Sequence, residues 1–345
     1  MDTHSFEQFR NDFFQLVSES TSVVITAHFS PDDDSIASVL MLYAILTEKF
    51  PEKSVRIIYT GEPVTRYAVF AGFEKIKFVD DVANHLEGVD VLVMLDGSQQ
   101  HRFSKFPEKL VAVPKTVAID HHAGVPSTFT LSLVVPKSSS NAELIYHTFL
   151  TGDPISKSMA ELILLGIIGD TGGLAHVPAD QSSVFSIVKE LIEIVGVSIG
   201  EFRSRYSTLP QRVFALLQEF VHNTTYIHVP RWPDAQYTFV KRSVAEMGSY
   251  SDEEMSAASH VYLSYYLPRI TGYNWGFVIS PRSDGECRMS SRSLPKSVNV
   301  RVLHERLGIG SGHDRAAGGA FKESDPEECI KKVLEWMKQN EPAIL

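Results

Sequence analysis

The chain of 345 residues has two cysteines, Cys287 and Cys329, and no Cys-x-x-Cys spacing. A disulfide framework and a zinc knuckle are both excluded on that count. No apolar run approaches the roughly 18 to 20 residues of a membrane-spanning helix. The start, MDTHSFEQFR, has neither the basic region nor the apolar stretch of a secretory leader, so a cytoplasmic protein with no membrane partner is expected. Excess basic charge is missing too: 32 Lys and Arg face 42 Asp and Glu, a formal net charge of -10. Grip on long duplex nucleic acid draws on clustered cations that displace counterions, and this chain has no such excess. A small phosphate-bearing substrate stays open, because divalent ions and a few arginines can make one site positive on an acidic surface.

With 43% hydrophobic and 21% charged residues, the composition is that of a globular protein, and the length suggests two domains. SVVITAH (22 to 28), VRIIY (55 to 59), VDVLVMLD (89 to 96) and TVAID (116 to 120) read as strands, and SIASVLMLYAILTEKF (35 to 50) as a helix with Ile36, Val39, Leu40, Tyr43 and Leu46 on one stripe. Apolar strands alternating with helices predict an α/β domain with a mostly parallel sheet, flanked by helices, over residues 1–190. Residues 191–222 read as a helical connector. From 223 to 345, short strand-like pieces mix with helical stretches, which suits a smaller α+β domain.

The acids and histidines fall at the ends of these elements. His28 and Asp32 to Asp34 follow the first strand, Asp96 ends the third, Asp120, His121 and His122 end the fourth, and Asp170 follows LLGIIG. Open parallel sheets bind ligands beyond the carboxyl ends of their strands, so these groups would converge. Aspartate with histidine and no cysteine suits Mn²⁺ or Mg²⁺, and two such ions would clamp a phosphoryl group. Taken singly, each group has a plainer reading: Asp34 as the N-cap of the next helix, Asp96 before Gly97 as a turn residue, His121 as an ordinary core or surface histidine, GIIGDTGG as a helix end with glycine stops. Four such clusters at element ends are hard to assign to capping. In the DDD run an extended loop would turn Asp32 and Asp34 one way and Asp33 the other, with Pro31 biasing Ser30 to an extended conformation.

HFSPDDD, VLVMLDGS, AIDHHAG and GIIGDTGG resemble, in order, the four motifs of the DHH phosphoesterase superfamily, and MSSRS (289 to 293) with GIGSGHDRAAGGAF (308 to 321) resembles its DHHA1 domain. The resemblance implies two Mn²⁺ ions, with Mg²⁺ or another divalent ion as substitutes. His28, Asp32 and Asp96 would hold one, and Asp34, Asp96, His121 and Asp170 the other. It implies catalytic roles for His122, beside the scissile phosphate, and for Asp120, orienting a histidine. Arg292, Ser293 and His313 would bind substrate, with Gly310 and Gly312 allowing close backbone approach, in a cleft between the two domains. Asp33 and Ala37 stand where the family often has glycine, and Ser311 interrupts the glycine tract.

The two-domain layout resembles the group of oligoribonucleases (nanoRNases) and pAp phosphatases, some of which degrade cyclic di-AMP. The expected activity is Mn²⁺-dependent hydrolysis of short RNA or linear dinucleotides such as pApA to 5′-mononucleotides, with pAp as a further substrate. A cyclic-di-AMP phosphodiesterase and a non-catalytic nucleotide sensor are the alternatives. The resemblance also implies a homodimer.

Overall fold

The computed structural model describes residues 3–29, 31–122 and 128–345. The chain divides into two units, Met1–Ser207 and Thr208–Leu345. The first unit runs α1 (Thr3–Ser18), β1 (Ser22–Ala27), α2 (Asp33–Lys49), β2 (Ser54–Thr60), β3 (Ile76–Val79), β4 (Val91–Leu95), α3 (Pro107–Val111), β5 (Lys115–Asp120), β6 (Leu131–Val134), α4 (Asn141–Ile145), α5 (Lys157–Asp170), α6 (Val184–Val195) and α7 (Ile199–Ser204). Its six strands lie in the order β3-β2-β1-β4-β5-β6, and every neighbouring pair is parallel.

The strands are apolar without alternation because both faces are covered. Val23, Ile25, Val91 and Val93 point into one cluster, which includes Leu40 and Leu46 of α2 and Ile163 and Ile167 of α5. Their neighbours Val24, Leu92 and Met94 point into another, with Val82, Phe103 and Leu110. The short edge strands β3 and β6 and helix α1 lie outside the elements read from the sequence.

The second unit runs α8 (Gln211–His222), β7 (Thr225–Ile227), β8 (Ala235–Phe239), α9 (Arg242–Met247), α10 (Asp252–Val261), β9 (Trp275–Pro281), β10 (Cys287–Ser293), α11 (Val300–Leu307), β11 (Gly310–His313), β12 (Ala316–Phe321) and α12 (Pro326–Gln339). Its sheet has the order β11-β12-β10-β9-β8-β7, with β8–β9 parallel and the other pairs antiparallel. The glycine tract GIGSGHDRAAGGAF is therefore no plain turn, since it supplies the strand pair β11–β12.

The expected connector over 191–222 is not a separate element. Helix α6 buries Ile187, Leu191 and Val195 in the first unit's core. Helix α8 buries Val213, Leu216, Leu217 and Phe220 against Met255, Ala258 and Tyr262 of the second unit. Each helix has a full apolar stripe, and each spends it on its own unit. No helix among the described residues is long and apolar enough to cross a membrane.

His304 of α11 is fully buried and its Nε2 lies 2.8 Å from the Ser291 hydroxyl oxygen. Burial pushes its pKa down to about 4. The unfolded chain therefore binds a proton that the folded chain refuses between pH 6.5 and 4, so stability rises with pH through that window and is lost as pH falls. The loss is about 3 kcal/mol. All three tryptophans, Trp232, Trp275 and Trp336, belong to the second unit. Urea unfolding followed by tryptophan fluorescence is expected to show a shallower acid-side decline in His304→Asn than in the native chain; equal slopes would mean that His304 already carries its proton when folded.

Candidate metal centre

The first sheet reverses its direction of growth between β1 and β4, the place where open α/β sheets bind their ligands. The chain leaves β1 through His28 and Asp32, leaves β4 at Asp96, and leaves β5 at Asp120, His121 and His122. Asp96 is 1% exposed and has φ 58, a left-handed conformation that aspartate tolerates better than most residues and that is common at functional turns. It is therefore not an ordinary surface turn.

Asp32, and not Asp34, caps α2. Its carboxylate accepts the Ser35 N–H at 2.9 Å, and the Ser35 hydroxyl oxygen accepts the Asp32 N–H at 2.9 Å. The helix thus begins at Asp33, so Asp33 and Asp34 are separated by about 100° of helical rotation and not by the alternation of an extended loop. Asp33 faces elsewhere for this reason: its Oδ1 accepts from Arg66 Nη2 at 2.7 Å and from the Tyr67 hydroxyl at 2.7 Å. Ser30, expected to be extended before Pro31, and Ala123–Gly124 at the end of the DHHAG motif lie outside the described residues.

Asp34 is fully buried. Its two oxygens accept the N–H groups of Asn141 at 2.6 Å and Ala142 at 2.8 Å, at the N-terminus of α4. The glycines of GIIGD make room for these acids. A Cβ on Gly166 would come 2.5 Å from Asp34 Oδ1, and one on Gly169 would come 2.4 Å from the Asp33 Cβ. Both glycines lie inside α5, so they form a notch for the start of α2 and are not helix stops. Asp170 then sits on the last residue of α5, where the helix carbonyls already concentrate negative charge.

Two imidazoles face the acids. His28 Nε2 lies 3.1 Å from Asp96 Oδ2 and 3.4 Å from Asp32 Oδ2. His121 Nε2 lies 2.9 Å from Asp170 Oδ2, 3.4 Å from Asp96 Oδ1 and 3.7 Å from Asp34 Oδ2. In each ring Nδ1 is against a backbone carbonyl, Phe29 at 2.7 Å for His28 and Ser138 at 3.3 Å for His121. That pairing puts the proton on Nδ1 and leaves Nε2 as a donor to a cation.

Asp96 divides its oxygens between the two groups, Oδ2 to the His28 side and Oδ1 to the His121 side. The sets His28, Asp32, Asp96 and Asp34, His121, Asp170 each have the donor atoms to hold an ion. Donor spacings near 3 Å are about those of neighbouring ligands at metal–ligand distances of about 2.1 Å.

The electrostatics point the same way. Burial and the charges of Asp170 and Asp96 push the Asp34 pKa well up. Burial alone would raise Asp96 as well, but His121 and His28 hold it well below the usual carboxylate range. Burial opposes charge on both imidazoles, yet the surrounding carboxylates raise their pKa values. Asp96 Oδ1 and His121 Nε2 are buried with no hydrogen bond of proper direction among the described residues. Divalent cations fit this set of donors, since they would balance the excess of carboxylates and fill the space that the two orphaned atoms share.

Asp120 is 1% exposed, and its Oδ1 holds His122 Nδ1 at 2.7 Å and the His122 N–H at 3.0 Å. The histidine it orients is thus His122, while Ser138 orients His121. Ser138 and the α4 N-terminus had no signal in the sequence, because backbone groups bond without regard to residue type.

Residues 22–167 match the DHH family, N-terminal domain. The chain is thus an enzyme whose residues 22–167 form a DHH-family N-terminal domain. It is similar to the bifunctional oligoribonuclease and PAP phosphatase NrnA of Bacillus subtilis, 25% identical over 331 residues that cover 94% of this chain and 97% of that protein. A probable manganese-dependent inorganic pyrophosphatase of Streptococcus agalactiae is 26% identical over 188 residues, covering 53% of this chain and 58% of that one. Among solved structures, an exopolyphosphatase-related protein from Bacteroides fragilis shares the fold, with a TM-score of 0.78, 22% identity, and coverage of 96% of this chain and 97% of that one.

In the second unit, Arg292 lies on β10, and Ser293 follows it on the opposite, buried face, where its hydroxyl has no partner among the described residues. Strand alternation therefore does not bring Ser293 to Arg292. His313 ends β11. Gly310 and Gly312 are required first by the strand pair, because a Cβ on Gly310 would meet the Gly318 carbonyl oxygen at 2.2 Å and one on Gly312 the Ala316 carbonyl oxygen at 2.6 Å. Ser311 turns its hydroxyl to Glu305 at 2.8 Å, so the interrupted glycine tract still pairs.

Two measurements test the centre. Saturating Mn²⁺ is expected to raise the thermal midpoint of chelator-treated protein, by the equivalent of roughly 3 to 4 kcal/mol at 100 to 1,000 times Kd. Asp96→Ala should remove that shift, and an undiminished shift would place the ions elsewhere. Asp33→Gly should keep the Mn²⁺ shift while lowering stability by about 1 to 3 kcal/mol through the orphaned Arg66 and Tyr67. Loss of the Mn²⁺ shift in that variant would make Asp33 part of the ion-binding set.

Proposed function

We propose that the protein is a phosphodiesterase dependent on two divalent ions, Mn²⁺ by preference, that hydrolyses short oligonucleotides and linear dinucleotides such as pApA to 5′-mononucleotides and removes the 3′-phosphate of pAp. The observation that carries this reading is the Asp96 carboxylate, whose two oxygens face two separate sets of histidine and aspartate donors. His28, Asp32 and Asp96 would hold one ion, and Asp34, Asp96, His121 and Asp170 the other. Bound ions of this kind neutralise phosphate charge and activate water at neutral pH.

The remaining work falls to the chain. Asp120 holds His122 at Nδ1 and at the backbone N–H, which fixes the orientation of a ring that would lie beside the substrate phosphate. Arg292 and His313 would hold a part of the nucleotide remote from the reacting bond. The extent of similarity supports the choice of substrate: the pyrophosphatase likeness covers about half of this chain, whereas the NrnA likeness runs through both units. A homodimer fits the same reading.

The deciding measurement is a product profile with Mn²⁺ over pAp, pApA, longer oligoribonucleotides and cyclic di-AMP. Mononucleotides from pApA and pAp, with slower turnover of long chains, are expected; a protein that cleaved only cyclic di-AMP would be a cyclic-dinucleotide enzyme, and one that left all four intact would refute catalysis. Asp96→Ala should abolish turnover with the fold retained. Arg292→Ala should raise KM more than it lowers kcat, and an unchanged KM would remove Arg292 from the substrate site.

A further inference from the structure

Glu143, the third residue of α4, is a buried carboxylate, 6% exposed, with no part in the donor sets described above. Its Oε2 accepts the Ser139 N–H at 2.6 Å and the Ser138 hydroxyl at 3.1 Å, the latter shared with the Ser140 carbonyl oxygen at 2.9 Å. In return the Ser140 hydroxyl oxygen accepts the Glu143 N–H at 3.0 Å. On the other side, His147 Nε2 lies 3.5 Å from Glu143 Oε1. Burial alone would raise the Glu143 pKa, but His147 and the Ser139 N–H hold it below the ordinary glutamate value. These bonds close residues 138–143 into one knot at the head of α4.

Two donors of one candidate ion hang from that knot. The Ser138 carbonyl oxygen faces His121 Nδ1 at 3.3 Å, and the N–H groups of Asn141 and Ala142 hold the two oxygens of Asp34 at 2.6 and 2.8 Å. The Asn141 side chain also donates to the Ser38 hydroxyl oxygen, one turn beyond Asp34 on α2, at 3.0 Å. The other set is oriented by its own neighbours, His28 by the Phe29 carbonyl and Asp32 by Ser35. A shift of residues 138–142 would therefore move an imidazole and a carboxylate of one set together and leave the other set in place. A buried carboxylate loses its hydration, and what offsets that loss here is a group of bonds that all fix this segment.

We propose that Glu143 is a positioning residue that locks Asp34 and His121 in register with each other, so that the ion held by Asp34, His121 and Asp170 depends on it while the ion held by His28 and Asp32 does not. Outer partners of metal ligands commonly set metal affinity by about 10- to 100-fold, because they fix the ring and carboxylate angles. Glu143 stands one bond further out and acts on two ligands at once. The lock rests on the two-ion reading above and deepens it by naming what holds the ligands of one ion together.

Mn²⁺ titration of the full chain, read by the paramagnetic resonance of the free ion, tests the lock one ion at a time. Asp32→Asn keeps an acceptor for the Ser35 N–H and should leave only the His121 set; Asp170→Asn should leave only the His28 set. Adding Glu143→Met, which fills the space without an acceptor, should weaken Mn²⁺ binding about tenfold in the Asp32→Asn chain and less than about twofold in the Asp170→Asn chain. Glu143→Gln, which keeps an acceptor oxygen at the same reach, should recover most of the loss. Ser138→Ala, a milder cut that leaves the carbonyl in place, should shift the same ion by about threefold. An unchanged affinity in the Asp32→Asn chain, or equal losses in both chains, would overturn the lock and leave Glu143 a residue of fold stability alone. Amide exchange in chelator-treated protein gives a readout without metal: the Asn141 and Ala142 N–H groups should exchange about tenfold faster in Glu143→Met, and rates within about twofold of native would equally overturn the lock. A native chain that binds no Mn²⁺ but shows the faster exchange would refute the ion centre and leave the lock standing; Mn²⁺ binding with exchange unaffected by Glu143→Met would do the reverse.

Discussion

Mutual repulsion among Asp32, Asp34, Asp96 and Asp170 is the constraint on which the first unit depends. These four carboxylates come from three separated places, the start of α2, the end of β4 and the end of α5, and they meet around His28 and His121. Left in water, they would stay apart. The fold brings them together by means unrelated to metal: the Asp32 cap on α2, the left-handed turn at Asp96, and the α4 N-terminus that takes both oxygens of Asp34. The Ser35 N–H at Asp32 and the α4 N–H groups at Asp34 favour the charged carboxylates, and His28 and His121 hold Asp96 ionised, while the crowding of Asp34 and Asp170 leaves a charge deficit that cations would fill.

Much of this was legible in the sequence, for identifiable reasons. Central strands buried on both faces leave continuous apolar runs, so β1, β2, β4 and β5 could be read, and the chemistry-bearing residues at their ends with them. The edge strands β3 and β6 are mostly apolar but only four residues long, too short for a run to stand out. The position of the acids could be read but not the reason for it. The DDD run looks like a loop with alternating faces, whereas a capping box at Asp32 and Ser35 starts the helix at Asp33, before its apolar stripe begins to show, and only hydrogen bonds distinguish the two. GIIGD looks like a helix end because glycine usually stops helices; here Gly166 and Gly169 serve a neighbour distant in sequence, and single-chain patterns carry no trace of that. Partners that act through backbone, such as Ser138 and Asn141, leave no mark in residue type at all.

The two units differ in how they treat charge. The first gathers anions around a space for cations. The second turns Arg288 and Arg292 to the side of β10 opposite buried Cys287, Met289 and Ser291, and neither has an ion pair among the described residues. Similarity to a pyrophosphatase covers about half of this chain, whereas similarity to NrnA runs through both units.

The notch cut by Gly166 and Gly169 also bears on the order in which the chain is made. HFSPDDD leaves the ribosome early, while its notch and Asp170 follow only after α2, the remaining strands of the sheet and α4 have been synthesised. Until then the three aspartates have no pocket, and an ion could be held only loosely by an exposed, flexible acidic segment. If these residues are the ion-binding set, tight metal capture would be deferred to the moment α5 docks, so that occupancy of the centre would report completion of the first unit during synthesis.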